Sequence, residues 1–332
     1  KQVLRKMICM KNFFQEKKVL VAGGLGFLGS NLSLKLASLG AIVTATTRNL
    51  SKNKRLSETE LKKINIKEVD LLNFEQCLNA CKGQDIVINC AFSGSKPSQE
   101  KGDATIFREN LLIELNLLEA ARLSKVKKYL LVSSAFVYPS NLKKPIKENQ
   151  VFLGDVHYSK FGYGWSKRAC EAAARVYSKQ YELNIVIIRP SNIYGPRDNF
   201  FSERSTAIAS FIEKSFTNKP IVISGNGKAK RSFIYVEDCV EGILLALEKY
   251  NSIDPLNISS KEQTTIKDLA EKIVSLSRTK TKIVFDKKLS QGPLFLVPDN
   301  TKAKKLIGFE AKTGLEEGLK KTIEWFKEKY DL

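Results

Sequence analysis

Tyr163-Gly-Trp-Ser-Lys167 places a phenol and an amine at i and i+4, on one face of any helix that carries them. That pair has a definite chemistry. A phenol titrates at about 10, and a cation one helical turn away favours its anion. Such a phenol can exchange a proton with an alcohol while hydride moves to or from a nicotinamide. Ser134 follows the apolar run Tyr129–Ser133 and so stands at the C-terminal edge of a strand, where ligands bind in open α/β sheets. Its hydroxyl there would hold the reacting oxygen. Alone, the tyrosine–lysine spacing would equally suit a surface pair.

Far upstream, Val21-Ala-Gly-Gly-Leu-Gly-Phe-Leu-Gly29 spaces Gly23, Gly26 and Gly29 three apart. In a strand–turn–helix the first glycine allows the tight turn, the second lets backbone approach a pyrophosphate, and the third lets helix and strand pack closely. The phosphates would rest on the helix N-terminus, where free N–H groups and the dipole favour negative charge. The end of the second strand decides between dinucleotides. It reads Thr46-Thr47-Arg48, with no carboxylate for ribose hydroxyls, which favours NADP over NAD, with a solvated loop arginine as the competing reading. Asp70, after the third strand, is placed to accept from an adenine amine or to form a turn.

These groups need elements to position them. Val19–Ala22 is a short apolar run, and Phe27–Leu39 has helical spacing ended by Gly40. Strands are expected at Ala41–Thr46, Ile64–Val69, Asp85–Ala91, Tyr129–Ser133 and Ile185–Arg189, with helices at Phe74–Cys81, Phe107–Leu123 and Ser166–Tyr181. Alternation of this kind means βαβ units and a parallel sheet. After Pro190 the elements shorten, around Thr206–Lys214, Pro220–Ser224, Ile266–Leu276 and Leu315–Lys327. The fold class is α/β, a Rossmann-type doubly wound parallel sheet with a smaller C-terminal substrate-binding lobe. The sheet domain is expected over 18–190, with 232–257 returning to it, and the lobe over 191–231 and 258–332.

A length of 332 residues with 43% hydrophobic side chains supports a full core and excludes wholly disordered or collagen-like chains. The 55 basic against 35 acidic residues give a formal charge of +20. The lysines are scattered without a basic, aromatic-interleaved segment, so solvated faces that attract an anionic small molecule are the reading, and no nucleic-acid partner is expected. Six cysteines form no CxxC pair, and the lone His157 cannot complete a metal site; no metal is expected. Reduced thiols, no apolar stretch that would span a bilayer and no signal-peptide pattern point to a cytoplasmic protein without a membrane partner. Residues 1–17 read as a loosely held extension.

With these motifs in order, the chain resembles the extended short-chain dehydrogenase/reductase family of nucleotide-sugar epimerases, dehydratases and reductases. The resemblance runs from about Lys18 to Phe326 and includes Asp70-Leu71, Asp85–Ala91, Asn110 with Asn116–Ala121, Ser133–Tyr138, Arg189–Asp198 and Arg231–Asp238. It implies Ser134, Tyr163 and Lys167 as hydroxyl, acid/base and partner. It implies a cofactor site of Gly23, Gly26, Phe27, Leu28, Gly29, Arg48, Asp70, Leu71, Ala91, Asn110, Tyr163, Lys167 and Pro190. It further implies that Ser134, Ala135, Phe136, Asn192 and Arg231 meet the substrate, Arg231 by gripping nucleotide phosphates. A second phosphate arginine, implied just before Asp299, is absent; Leu296 and its neighbours stand there. A homodimer through two helices of each subunit is a further implication.

Departures narrow the reaction. The Asp-Glu pair of the 4,6-dehydratases is replaced by Ala135-Phe136, and the cysteine and histidine of GDP-fucose synthase by Phe136 and Thr206. Hydride chemistry at one carbon remains, at sugar C4. The expected function is an NAD(P)-dependent nucleotide-sugar 4-epimerase. The alternatives are an NADPH-dependent 4-keto nucleotide-sugar reductase and a non-catalytic cofactor-binding protein.

Overall fold

The apolar runs of the first 190 residues become neighbouring strands: β1 (Lys18–Ala22), β2 (Ile42–Thr47), β3 (Asn65–Glu68), β4 (Ile86–Asn89), β5 (Lys128–Val132) and β6 (Ile185–Pro190). The computed structural model describes residues 9–52, 55–93, 103–202, 205–290 and 292–332. The order in the sheet is β3-β2-β1-β4-β5-β6, followed by a late strand at Leu256–Ile258, and every pairing is parallel. Strands β4, β5 and β6 are buried throughout, as expected of parallel strands covered on both faces. The helices Phe27–Ser38 and Val236–Lys249 cover one face; Phe74–Cys81, Asp103–Leu123 and Phe161–Tyr181 cover the other. Strand order reverses between β1 and β4, which opens a crevice at the carboxyl ends of the strands.

The later chain builds two smaller sheets. Strand β7 (Asn192–Tyr194) pairs in parallel with β9 (Lys230–Tyr235), and β8 (Ile221–Ser224) pairs with β12 (Ile283–Asp286). After β9, the helix Val236–Lys249 and β10 (Leu256–Ile258) return to β6. Strands β11 (Gln263–Thr265) and β13 (Phe295–Leu296) then flank β9. A separate apolar cluster centred on Ile212, Leu269 and Phe326 holds these pieces together.

Three features depart from expectation. Residues 9–14 are helical and bury Met10 and Phe14 in the main core, so this part of the N-terminus is not loosely held; residues 1–8 lie outside the described residues. The helix expected from Ser166 begins at Phe161, which puts Tyr163 in its first turn. Lys128, within β5, is buried and donates to Leu247 O and Tyr250 O (each 2.7 Å), the carbonyl end of the helix Val236–Lys249. Burial lowers its pKa to about 8, while the carbonyls and the helix dipole satisfy the ammonium. No helix among the described residues is long and apolar enough to cross a membrane.

Candidate active site

The glycine turn is shaped by what it excludes. Gly23 has φ +71°, and a Cβ there would stand 2.9 Å from Ala91 Cα, two residues past β4. A Cβ on Gly29 would collide with the Gly23 carbonyl oxygen, so the third glycine brings helix and turn together. Gly26 donates from its N–H to Gly23 O (2.9 Å) and caps the helix without a side chain. The first-turn N–H groups therefore face outward with no side-chain acceptor from the cap. Two contributors were not foreseen. Gly24 packs on Ala45, where a Cβ would come within 2.5 Å of the alanine methyl, and Thr46 Oγ1 accepts from Gly23 N (3.1 Å).

This turn opens onto a cleft of about 1280 Å³. Its wall includes Gly23, Gly26, Phe27, Leu28, Gly29, Arg48, Asp70, Leu71, Ala91 and Pro190, together with Ser134, Ala135, Phe136, Tyr163, Lys167, Asn192 and Arg231. Arg48 is exposed just after β2, and Asp70 Oδ1 accepts from Leu72 N (3.1 Å). Asn110 is the exception. It is buried off the cleft wall, accepting from Ser93 N (2.7 Å) and donating to Ser93 O (3.0 Å), so it props the loop after β4 instead of lining the crevice.

Around Tyr163 the groups are tightly placed. Phe92 and Phe136 meet its ring edge-on, with centroids 5.9 and 6.2 Å away. Lys167 is buried and donates to Val132 O (2.9 Å), the last carbonyl of β5. Ser134 Oγ accepts from Phe136 N (3.2 Å), which fixes the turn after β5. Next to it, Ser133 donates to Glu171 (2.5 Å), and Glu171 takes a two-pronged bond from Arg189 (2.6 and 2.8 Å) in the interior. Burial lowers the Arg189 pKa and the Glu171 carboxylate raises it, with the second prevailing.

Glu114 was also missed. It is wholly buried and accepts from Asn89 Nδ2 (2.6 Å), while Asn89 Oδ1 accepts from Ala91 N (3.0 Å). Burial pushes its pKa up to about 7, against the Asn89 bond, the Lys167 charge and Tyr129. A single acid on an otherwise apolar helix face, four residues after Asn110, was its only trace in the sequence.

The other half of the cleft is made of side chains on short elements. Asn192 donates to Ser232 O (3.0 Å), bridging β7 and β9. Arg231 is buried, and desolvation lowers its pKa to about 10. Asp198, also on the wall and not foreseen, accepts from Thr206 Oγ1 (2.7 Å); burial pushes its pKa up to about 6. Thr206 caps the helix Ala207–Phe216. Arg197 reaches Asn31 (3.0 Å) and Glu60 (2.5 Å), and Arg55 reaches Arg197 O (3.0 Å) and Asn199. These bonds clamp the loop after β7 to the helix Phe27–Ser38 and to the segment after β2.

A family model described as "NAD dependent epimerase/dehydratase family" matches residues 19–259. The chain is 30% identical over 331 residues to GDP-mannose 3,5-epimerase of Arabidopsis thaliana, covering 95% of this chain and 83% of that protein. It is 27% identical to GDP-L-fucose synthase of Dictyostelium discoideum, covering 95% and 97%. Among solved structures, UDP-glucose 4-epimerase of Thermotoga maritima, crystallised with UDP-glucose, superposes with a TM-score of 0.85 at 27% identity, covering 94% and 99%.

Proposed function

The chain belongs to the NAD dependent epimerase/dehydratase family, and within it we propose a nucleotide-sugar 4-epimerase that moves hydride reversibly at sugar C4. The observation that carries this reading is that Ser134, Tyr163 and Lys167 share one cleft with the glycine turn. The residues fit a dinucleotide. The space that a Cβ on Gly23 or Gly29 would fill is closed by backbone, and the helix that follows presents unbonded N–H groups to a phosphate. Gly23, Gly26 and the first turn Phe27–Gly29 would hold the pyrophosphate, Asp70 and Leu71 would meet the adenine, and Ala91 and Pro190 would wall the nicotinamide half. Arg48, on the rim where a 2′-phosphate would lie, supports NADP over NAD.

A bound nicotinamide would supply reversible hydride transfer at one carbon of the sugar. Tyr163 removes the proton of the C4 hydroxyl and gives it back after the sugar has turned its other face. Ser134 holds the reacting oxygen, and Lys167, anchored on Val132 O, places positive charge beside the phenol side of the site. Arg231 grips the nucleotide phosphates. Phe136 packs on Tyr163 and Thr206 is spent on a helix cap and Asp198, so neither moves a proton beside a ketone. Ala135-Phe136 supply no acid and base for a 4,6-elimination, which argues against a dehydratase. The same residues used once would reduce a 4-keto sugar, and Arg48 favours that second reading. A homodimer through two helices of each subunit is what the family resemblance implies.

The test is turnover of a panel of UDP-, GDP-, dTDP- and CDP-sugars by the purified protein, read by absorbance and product analysis. Interconversion of C4 epimers without added NADPH supports the epimerase. Stoichiometric NADPH consumption by a 4-keto sugar replaces it with the reductase. Failure to bind either dinucleotide would overturn both.

A further inference from the structure

The cleft wall carries Arg48 and Arg55 on the segment that follows β2, Lys167 on the helix of Tyr163, Arg231 on β9, and Lys160 on the turn ahead of that helix. Lys160 has no part in the chemistry above. A diphosphate is doubly charged, and one arginine offsets only part of that charge. The family resemblance implied a second arginine just before Asp299, and the structure puts Leu296 in register with Arg231 on the neighbouring strand, buried and apolar. The cation expected beside Arg231 is therefore missing from its own strand.

We propose that Lys160 supplies the second grip on the diphosphate of the nucleotide sugar, replacing that arginine from a different element; this rests on the nucleotide-sugar reading above. Tyr158–Lys160 form a single tight turn, with Lys160 N donating to His157 O (2.9 Å). The Tyr158 hydroxyl donates to Ser290 Oγ (2.9 Å), which ties the turn to the loop ahead of β13. On that loop, a Cβ at Gly292 would stand 3.2 Å from Arg231 Nη2. His157 also senses the Arg231 charge, which adds to burial in lowering its pKa. Turn, loop and Arg231 thus border one stretch of the cleft.

Lys160 is exposed and lines the cleft, and its side chain has no hydrogen bond or ion pair among the described residues. Surrounding protein lowers its pKa and only the charge of Asp103 offsets this. A phosphate oxygen would favour the charged form, and an ammonium on a flexible stem is a suitable point-charge partner for it.

The experiment is calorimetric titration of the full chain, loaded with NADP, with UDP, GDP, dTDP and CDP and with the matching monophosphates. Lys160→Met should weaken the tightest diphosphate by about tenfold or more, the scale of one charge-assisted contact, and its monophosphate by less than about threefold. Lys160→Arg should keep diphosphate affinity within about threefold, because it retains the charge. Unchanged diphosphate affinity in Lys160→Met, or equal loss for both phosphates, overturns the assignment. If the unaltered protein binds NADP but none of the diphosphates, the nucleotide-sugar reading itself fails.

Discussion

The two halves of the cleft are built by different means. The dinucleotide side is backbone: a left-handed glycine, close approaches that exclude a methyl group, and a helix end free of side-chain caps. The far side is side chain: Arg231, Asn192, Asp198 and Lys160, carried on strands of three to six residues and on connecting turns. Backbone recognition tolerates almost no change at its glycines yet is indifferent to most side chains around it. Side-chain recognition can be moved from one element to another, because only the position of the charge matters. The buried groups between the halves, Glu114, Glu171 and Arg189, hold the strand ends at which the two meet.

The contrast can be broken most sharply where both halves converge. Tyr163→Phe should cut turnover by about a thousandfold, within the range of acid–base contributions, while leaving dinucleotide and nucleotide affinities near their starting values. Activity retained within a few-fold would remove Tyr163 from its role. Next in size is a pH effect on stability at Glu114. Its folded pKa of about 7 lies above the ordinary 4.5, so the folded protein holds the proton longer and loses stability as pH rises between those values. Glu114→Gln should abolish that loss. The variant should gain on the parent with rising pH and level off above about 7, at a gap on the order of 3 kcal/mol. Urea unfolding at about pH 5 and about pH 8 measures this, and an equal gap at both would refute it.

Gly29→Ala should act on the backbone half alone. The added methyl meets the Gly23 carbonyl, so overpacking of about 1–3 kcal/mol should appear as weaker dinucleotide binding with nucleoside diphosphate affinity preserved. Equal loss of both ligands would show that the halves are not independent. Arg48→Ala is the smallest: about a tenfold loss for NADP and almost none for NAD, by equilibrium titration. An unchanged preference would place the 2′-phosphate elsewhere.

Legibility follows the same division. Backbone recognition forces particular residues, so Gly23, Gly26 and Gly29 announced the turn, and the apolar runs announced six of the strands. Tyr163 and Lys167 were readable because a helix converts a spacing of four into one face. Asn110 is found bonded to Ser93 off the cleft wall, and a buried amide that props a loop and one that touches a ligand look alike in a sequence. Glu114 and Asp198 were overlooked because burial, which shifts both, has no local signature.

Local pattern by itself determined the parallel sheet, the glycine turn and the placing of Tyr163 and Lys167 on one helix, because each depends on residues a few positions apart. Only the tertiary structure decided which groups share the cleft, that Phe14 closes the core, and that Lys160 lines the same cleft as Arg231. Those facts depend on contacts between segments tens of residues apart, where charge, burial and distance are set by packing and not by spacing along the chain.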